Sequence, residues 1–263
     1  MSRLRDAFAR AHAEGGRGLV TYVTAGDPDA TRSGEILMAL AGAGADVLEV
    51  GVPFSDPLAD GPVIQRAIER ALRGGTTLRG TLDIVRRVRK AVDTPIVLFT
   101  YANPVLRMQP DAFARAAAEA GVDGVLILDY PVEEAEPLRR PLVAAGLDPI
   151  FLISPTTSDE RMRRSGELGR GFLYVISRLG VTGVRDQLAA DVETLVDRVR
   201  RNASLPIAVG FGISRPEHVA EACRWADAAV VGSALVNVIA EHGQSADVAQ
   251  RAGEYVRWLK GAP

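Results

Sequence analysis

The sequence predicts an α/β fold, a (β/α)8 TIM barrel with an extra N-terminal helix, built as a single domain over residues 1–263. Three observations point there. Eight short β-rich runs alternate with helical patterns, as parallel βαβ units do. Several of the runs are continuous leucine and β-branched stretches, the pattern of strands covered on both faces. The length of 263 residues matches the roughly 250 that such a barrel takes, and no composition shift or flexible linker divides the chain. An open doubly wound sheet shares the alternation, but eight units favour closure.

In order, residues 2–14 have helical spacing with Leu4, Phe8 and His12 on one side, the extra helix. Strand-like runs follow at 18–26, 46–52, 95–102, 124–130, 148–154, 171–177, 206–212 and from 227. Between them the spacing predicts helices at 31–43, 63–73, 78–92, 111–120, 132–145, 158–168, from about 191 to 201, and at 216–225. The last strand turns into a helix at Gly232-Ser233, and a final helix covers 246–259. The segments GAGAD (42–46) and EAGVD (119–123) both end a helix and begin a strand, a hint of a repeated unit.

The second strand is unusual. LEVGVPFSDPLADGP (48–62) opens apolar but contains Glu49, then breaks into a proline-rich loop carrying Asp56 and Asp60. Strand alternation puts Glu49 on one face with Val47 and Gly51, and Leu48, Val50 and Val52 on the other. A carboxylate inside a buried strand is costly unless paired or used. Glu49 is therefore half of an arginine salt bridge or a catalytic group, and Asp60 is a helix cap or its partner in acid–base chemistry.

Chemistry in such barrels gathers at the carboxyl ends of the strands. Glycines in VGFGIS (209–214) and VGSAL (231–235), with a helix opening at Ser233, match a phosphate cradle made of backbone N–H groups. The loop at 177–191 after the sixth strand is long and holds glycines around Val181-Thr182. It reads as a surface loop or as a lid that brings Thr182 to Asp60. Lys90 and Lys260 are the only lysines, one on a helix and one in the tail, so neither is placed for a Schiff base. His12, His218 and His242 are far apart, and no metal site is visible.

The composition narrows the classes further. Hydrophobic residues make up 47% of the chain, enough for a large core, and a net charge of −2 argues against nucleic-acid binding. No window reaches the ~20 apolar residues of a membrane helix, and no early run looks like a signal peptide. One cysteine, Cys223, excludes an internal disulfide and fits a reducing, cytoplasmic setting.

The motifs LEVGVPFSDPLADGP (48–62), TYANP (100–104), SRLGVTG (177–183), GFGIS (210–214) and VGSA (231–234) closely resemble those of the tryptophan synthase α subunit family, and the likeness covers nearly the whole chain. The resemblance implies a carbon–carbon lyase of L-tryptophan biosynthesis that cleaves indole-3-glycerol phosphate to indole and glyceraldehyde 3-phosphate. It implies Glu49 and Asp60 as catalytic carboxylates, and Gly183, Gly212, Gly232 and Ser233 around the phosphate. It places Tyr22, Ile64, Leu126, Tyr174, Thr182 and Phe211 about the indole pocket, and makes 177–189 the lid. Pro53, Asp56 and Pro57 would contact a tryptophan synthase β subunit in an α2β2 assembly. No cofactor is expected in this chain, and pyridoxal phosphate is expected in the β partner. Two positions depart from the family pattern: Tyr22, where Phe is frequent, and Leu128, where a smaller residue is expected.

Two rivals remain. A sugar-phosphate isomerase on the same scaffold would need an acid or cysteine on strand 1, which here ends Thr24-Ala25-Gly26. A non-catalytic partner subunit would have no reason to keep both Glu49 and Asp60.

Overall fold

The computed structural model describes residues 2–13, 15, 18–176, 185–210 and 212–261. Strands β1 (Gly18–Thr24), β2 (Val47–Gly51), β3 (Ile96–Thr100), β4 (Gly124–Ile127), β5 (Asp148–Ile153), β6 (Leu173–Ile176), β7 (Ile207–Gly210) and β8 (Ala228–Val231) form a closed barrel in sequence order. Each strand pairs parallel with the next, and β8 pairs with β1. Helix α1 (Arg3–Ala13) precedes the barrel; α2 (Ala30–Gly42), α3 (Pro62–Arg73) and α4 (Leu78–Arg89) follow β1 and β2. Then come α5 (Ala102–Met108), α6 (Pro110–Ala120), α7 (Glu136–Ala144), α8 (Asp159–Leu168), α9 (Arg185–Asn202), α10 (Pro216–Ala222), α11 (Ser233–His242) and α12 (Val248–Leu259).

Alternation along the strands builds two cores. Leu48, Val50 and Val52 face outward and pack with Ile36, Leu37 and Leu40 of α2 and Val85 and Val88 of α4. Val20, Val47, Val97, Leu126, Ala208 and Val230 face the axis. The amino-terminal end of the barrel is stoppered by α1, whose Leu4, Ala7 and Phe8 join this inner cluster, with the Phe8 ring 5.1 Å from that of Phe172. The face assigned to Glu49 is thus the axial one.

The repeat hinted at by GAGAD and EAGVD is physical. Asp46, Asp123 and Asp227 each precede an even-numbered strand and each grips the strand before it. Their N–H groups donate to the carbonyls of Leu19, Ile96 and Ile207 at 2.9, 2.8 and 2.9 Å. Their carboxylates accept the N–H groups of the same three residues, each at 2.8 Å. Each carboxylate also meets a cation: Lys260 at 2.8 Å, Arg89 at 2.6 Å and Arg200 at 3.2 Å. Lys260 is therefore a structural residue at the end of the barrel opposite the strand carboxyl termini.

Three sequence expectations are corrected. Helix α5 is not among the elements that the sequence predicts, and Ala102, expected to end a strand, opens it; its first free N–H, on Ala102, is satisfied by Asp129 Oδ1 at 2.7 Å, a partner from just beyond β4 that local sequence does not reveal. Helix α9 is already under way at Arg185, so residues 185–189 are helix rather than lid or loop. The helix expected at 132–145 is a short 3-10 turn, Val132–Glu134, followed by α7.

Phe8→Ala removes the largest side chain of the stopper, and such truncations cost about 3 kcal/mol or more. The urea midpoint of unfolding should fall accordingly; an unchanged midpoint would mean that α1 does not stabilise the barrel.

Candidate active site

Glu49 lies in the middle of β2, in register with Tyr22 on β1 and Val97 on β3. It is fully buried, and neither Oε1 nor Oε2 has a hydrogen-bond partner among the described residues. The salt-bridge reading of Glu49 therefore fails among those residues. Burial first, and then the nearby Asp60 carboxylate, push its pKa from 4.5 to about 8. At neutral pH the neutral acid is the main form, which is how a packed site tolerates an unpaired carboxyl.

Asp60 sits at the end of the β2–α3 loop. It does not cap the helix: the N-cap of α3 is Gly61, with no side-chain bond, and Pro62 occupies the first turn. Instead, the Tyr101 hydroxyl donates to Asp60 Oδ2 at 2.7 Å and accepts the Ala59 N–H at 3.1 Å. Gln65 Nε2 donates to the Asp60 carbonyl at 2.8 Å, fixing the backbone. Burial raises the Asp60 pKa, and the Tyr101 hydrogen bond opposes that by favouring the anion. Helix α3 is itself pinned to the end of β1 by Arg70, which grips the buried Asp27 through Nε at 2.7 Å and Nη2 at 2.8 Å.

Around the two carboxylates stands a largely aromatic wall. Tyr22 meets Phe99 edge-on at 5.3 Å, and Phe99 lies 6.4 Å from Tyr174. Leu126 is fully buried on the inner face, and Ile64 packs against the group formed by Tyr22, Ala67 and Val236. Leu128, half-buried, joins the inner cluster beyond Leu126. Burial and the nearby Glu49 and Asp60 raise the pKa values of both Tyr22 and Tyr174, so the phenols stay neutral.

At the ends of β7 and β8 stand Gly212, with φ of 51°, and Gly232, which precedes α11. Ser233 opens that helix on an exposed surface, where first-turn N–H groups have no partner within the helix. Pro53 is buried, Pro57 half-buried and Asp56 exposed in the β2–α3 loop, whose Leu58 is 93% exposed. A groove of about 520 Å³ runs beside this loop between Phe54, Leu72, Pro104 and Met108. Thr182, Gly183 and Phe211 lie outside the described residues, as does most of the expected lid.

The structure thus brings Tyr22 and Tyr174 near both Glu49 and Asp60, with Ile64 packed beside Tyr22 and Leu126 in the inner cluster with Tyr174, while Gly212, Gly232 and Ser233 stand after the ends of β7 and β8. Sequence reasoning missed Tyr101 and Phe99 as members. Tyr101 stands inside the quoted TYANP motif, directly after β3, and its place at a strand end was the signal available.

A buried carboxylic acid on the axis of an all-parallel barrel, with a tyrosine-held aspartate on the loop that leaves the same strand, is an arrangement suited to general acid–base chemistry. The family model described as tryptophan synthase alpha chain matches residues 8–261. The tryptophan synthase alpha chain of Burkholderia thailandensis is 48% identical over 263 residues, covering 100% of this chain and 97% of that one. The crystal structure of tryptophan synthase subunit alpha from Legionella pneumophila superposes with a TM-score of 0.92 at 38% identity, covering 99% of this chain and 98% of that one. A structure of the tryptophan synthase α2β2 complex from Pyrococcus furiosus matches with a TM-score of 0.88 at 39% identity, over 94% of this chain and 98% of that one. The chain belongs to the tryptophan synthase alpha chain family. With that membership comes the alpha reaction, the lyase step that cleaves indole-3-glycerol phosphate in L-tryptophan biosynthesis.

Because the Glu49 pKa is raised from 4.5 to about 8 on folding, the native state binds the proton more tightly across that window. Stability associated with neutral Glu49 is present in full below 4.5 and declines as pH climbs to about 8. Glu49→Gln has no such proton to lose. Its unfolding free energy should gain on that of the parent by a few kcal/mol over the window; a pH-independent difference would show that Glu49 does not titrate there.

Proposed function

We propose that Glu49 and Asp60 carry the cleavage of indole-3-glycerol phosphate to indole and glyceraldehyde 3-phosphate. The observation that carries this reading is Glu49 itself, a buried, unpartnered carboxyl that is an acid at neutral pH. The bond to be broken ends on an aromatic carbon, a poor leaving group. Glu49 protonates that carbon, C3 of indole, and the ring becomes an iminium-like electron sink. The resulting carboxylate takes the proton of the side-chain hydroxyl. The oxygen's electron pair forms the aldehyde, the carbon–carbon pair flows into the ring, and Glu49 is restored as the acid. Asp60, whose anion the Tyr101 hydrogen bond favours, accepts the ring N–H and stabilises the positive charge that develops there.

Tyr22, Ile64, Leu126 and Tyr174, together with Phe211, supply the apolar walls for the indole. Gly212, Gly232 and Ser233, with Gly183, cradle the phosphate. Support for the cradle comes from the first turn of α11, whose free N–H groups and dipole suit an anion. Thr182 closes over Asp60 as part of the lid. Pro53, Asp56 and Pro57 meet a tryptophan synthase β subunit in an α2β2 assembly; the exposed Leu58 and the adjacent groove support a contact there. In that assembly pyridoxal phosphate belongs to the β partner, and this chain works without a cofactor as one barrel domain. A cytoplasmic setting agrees with the single cysteine; among the described residues no helix is long and apolar enough to cross a membrane.

The test is indole release from indole-3-glycerol phosphate by the parent and by Glu49→Gln, each with and without a β subunit. Cleavage should be slow alone, faster with the partner, and reduced about a hundredfold or more in the variant under both conditions. Parent-like turnover by Glu49→Gln would remove Glu49 from the chemistry.

A further inference from the structure

Tyr22, in register with Glu49, puts a hydroxyl into the wall beside the carboxylates. Its side chain spans the site. At its base, a Cβ added to Gly232 would lie 3.8 Å from Tyr22 Cβ, so the residue starts beside the end of β8. At its tip, a Cβ added to Gly51 would lie 2.2 Å from the phenol oxygen, so the hydroxyl rests on the bare backbone of β2. Gly51 is the next axial position after Glu49, and only a residue without Cβ admits the phenol there. The hydroxyl is 3.3 Å from Thr24 Oγ1, and the ring stands edge-on against Phe99 at 5.3 Å. Residue 22 is 3% exposed. Main chain beneath, a hydroxyl tether on one side and an aromatic ring on the other leave the phenol little room to move aside.

We propose that the Tyr22 hydroxyl is a specificity-determining group, which fills the space over Gly51 beside the two carboxylates and thereby restricts the pocket to an unsubstituted indole ring. This inference rests on the indole pocket proposed above and names its discrimination. A hydroxyl occupies about the room that a ring methyl would need. The wall cannot yield it cheaply, because rotating the phenol breaks the contact with Thr24 and moves a polar group toward apolar surface. Pockets that reject one methyl group do so by about 10–200-fold. Phenylalanine at residue 22 would open that space and leave the rest of the wall standing.

The experiment is the reverse condensation of glyceraldehyde 3-phosphate with indole and with the set of indoles methylated singly at each benzo-ring carbon. It compares the parent, Tyr22→Phe and Thr24→Val. The readout is the ratio of kcat/KM for each methylindole to that for indole within one enzyme, so that a general loss of rate cancels. Tyr22→Phe should raise this ratio about tenfold or more for at least one methylindole, mainly through KM. Thr24→Val, which frees the phenol to turn, should raise the same ratio by a smaller factor. Ratios that stay at the parent values for every methylindole in Tyr22→Phe would overturn the proposal. So would a rise in Tyr22→Phe that is equal for all ring positions, because a group fixed over Gly51 faces only part of the ring. A parent that condenses no indole at all would overturn the reaction itself, a result distinct from unchanged ratios in an active enzyme.

Discussion

An unpaired carboxyl group at the centre of a packed barrel is tolerated only if it stays neutral, and the region around Glu49 is arranged to that end. Leaving it charged there would cost many kcal/mol. Aromatic and aliphatic neighbours desolvate the group, the nearby Asp60 carboxylate raises its pKa further, and no described donor offers Glu49 an anionic alternative. The pKa of the second carboxylate is also raised by burial, but that group has a donor that opposes the shift. Asp60 rides on a loop, is only partly buried, and receives a phenol hydrogen bond that favours its anion. One strand and the loop that leaves it therefore deliver two chemically distinct groups from a single stretch of fifteen residues, 48–62.

Holding that difference requires the loop to stay where it is. The bidentate Asp27–Arg70 pair ties α3 to β1, Gln65 ties the first turn of α3 back to the Asp60 carbonyl, and Tyr101 reaches across from the end of β3. The Tyr101 ring is in turn packed by Phe54 at 5.1 Å, from the start of the same loop. Glu49 is placed by the sheet; Asp60 is placed by side chains from three elements, which is why its position is less apparent from local sequence.

That contrast also explains what the sequence made legible. Strands read well because β-branched runs bounded by glycine and proline have few alternatives, and the axial face of Glu49 follows from alternation alone. Helix α5 was hidden because its decisive partner, Asp129, is 27 residues away in sequence. The first turns of helix α9 are hard to read in the sequence because they are polar and glycine-flanked, which locally resembles a loop. Asp60 was identified as a candidate, but its capping role was a false alternative, since Gly-Pro after it starts the helix unaided. Tyr101 and Phe99 carry no spacing signal linking them to Glu49; only barrel closure brings β1, β3 and β6 to one wall. Glycines 212 and 232 were legible as turns, whereas residues 177–184 and 211 lie outside the described residues.

The aspartate grips at the other end of the barrel bear on how such a protein can change over generations. Asp46, Asp123 and Asp227 set strand register at the end opposite the strand carboxyl termini, through contacts with strand backbone and with Lys260, Arg89 and Arg200. Substitutions and insertions among the mouth loops can therefore accumulate, and substrate range can drift, without disturbing the barrel's alignment. The short turns that end in these aspartates have no such freedom. One residue added between Ala43 and Asp46, if carried into β2 as a register slip, would exchange the strand's two faces. Leu48 and Val50 would enter the axis, and Glu49 would be buried among the helices, where its acid serves nothing.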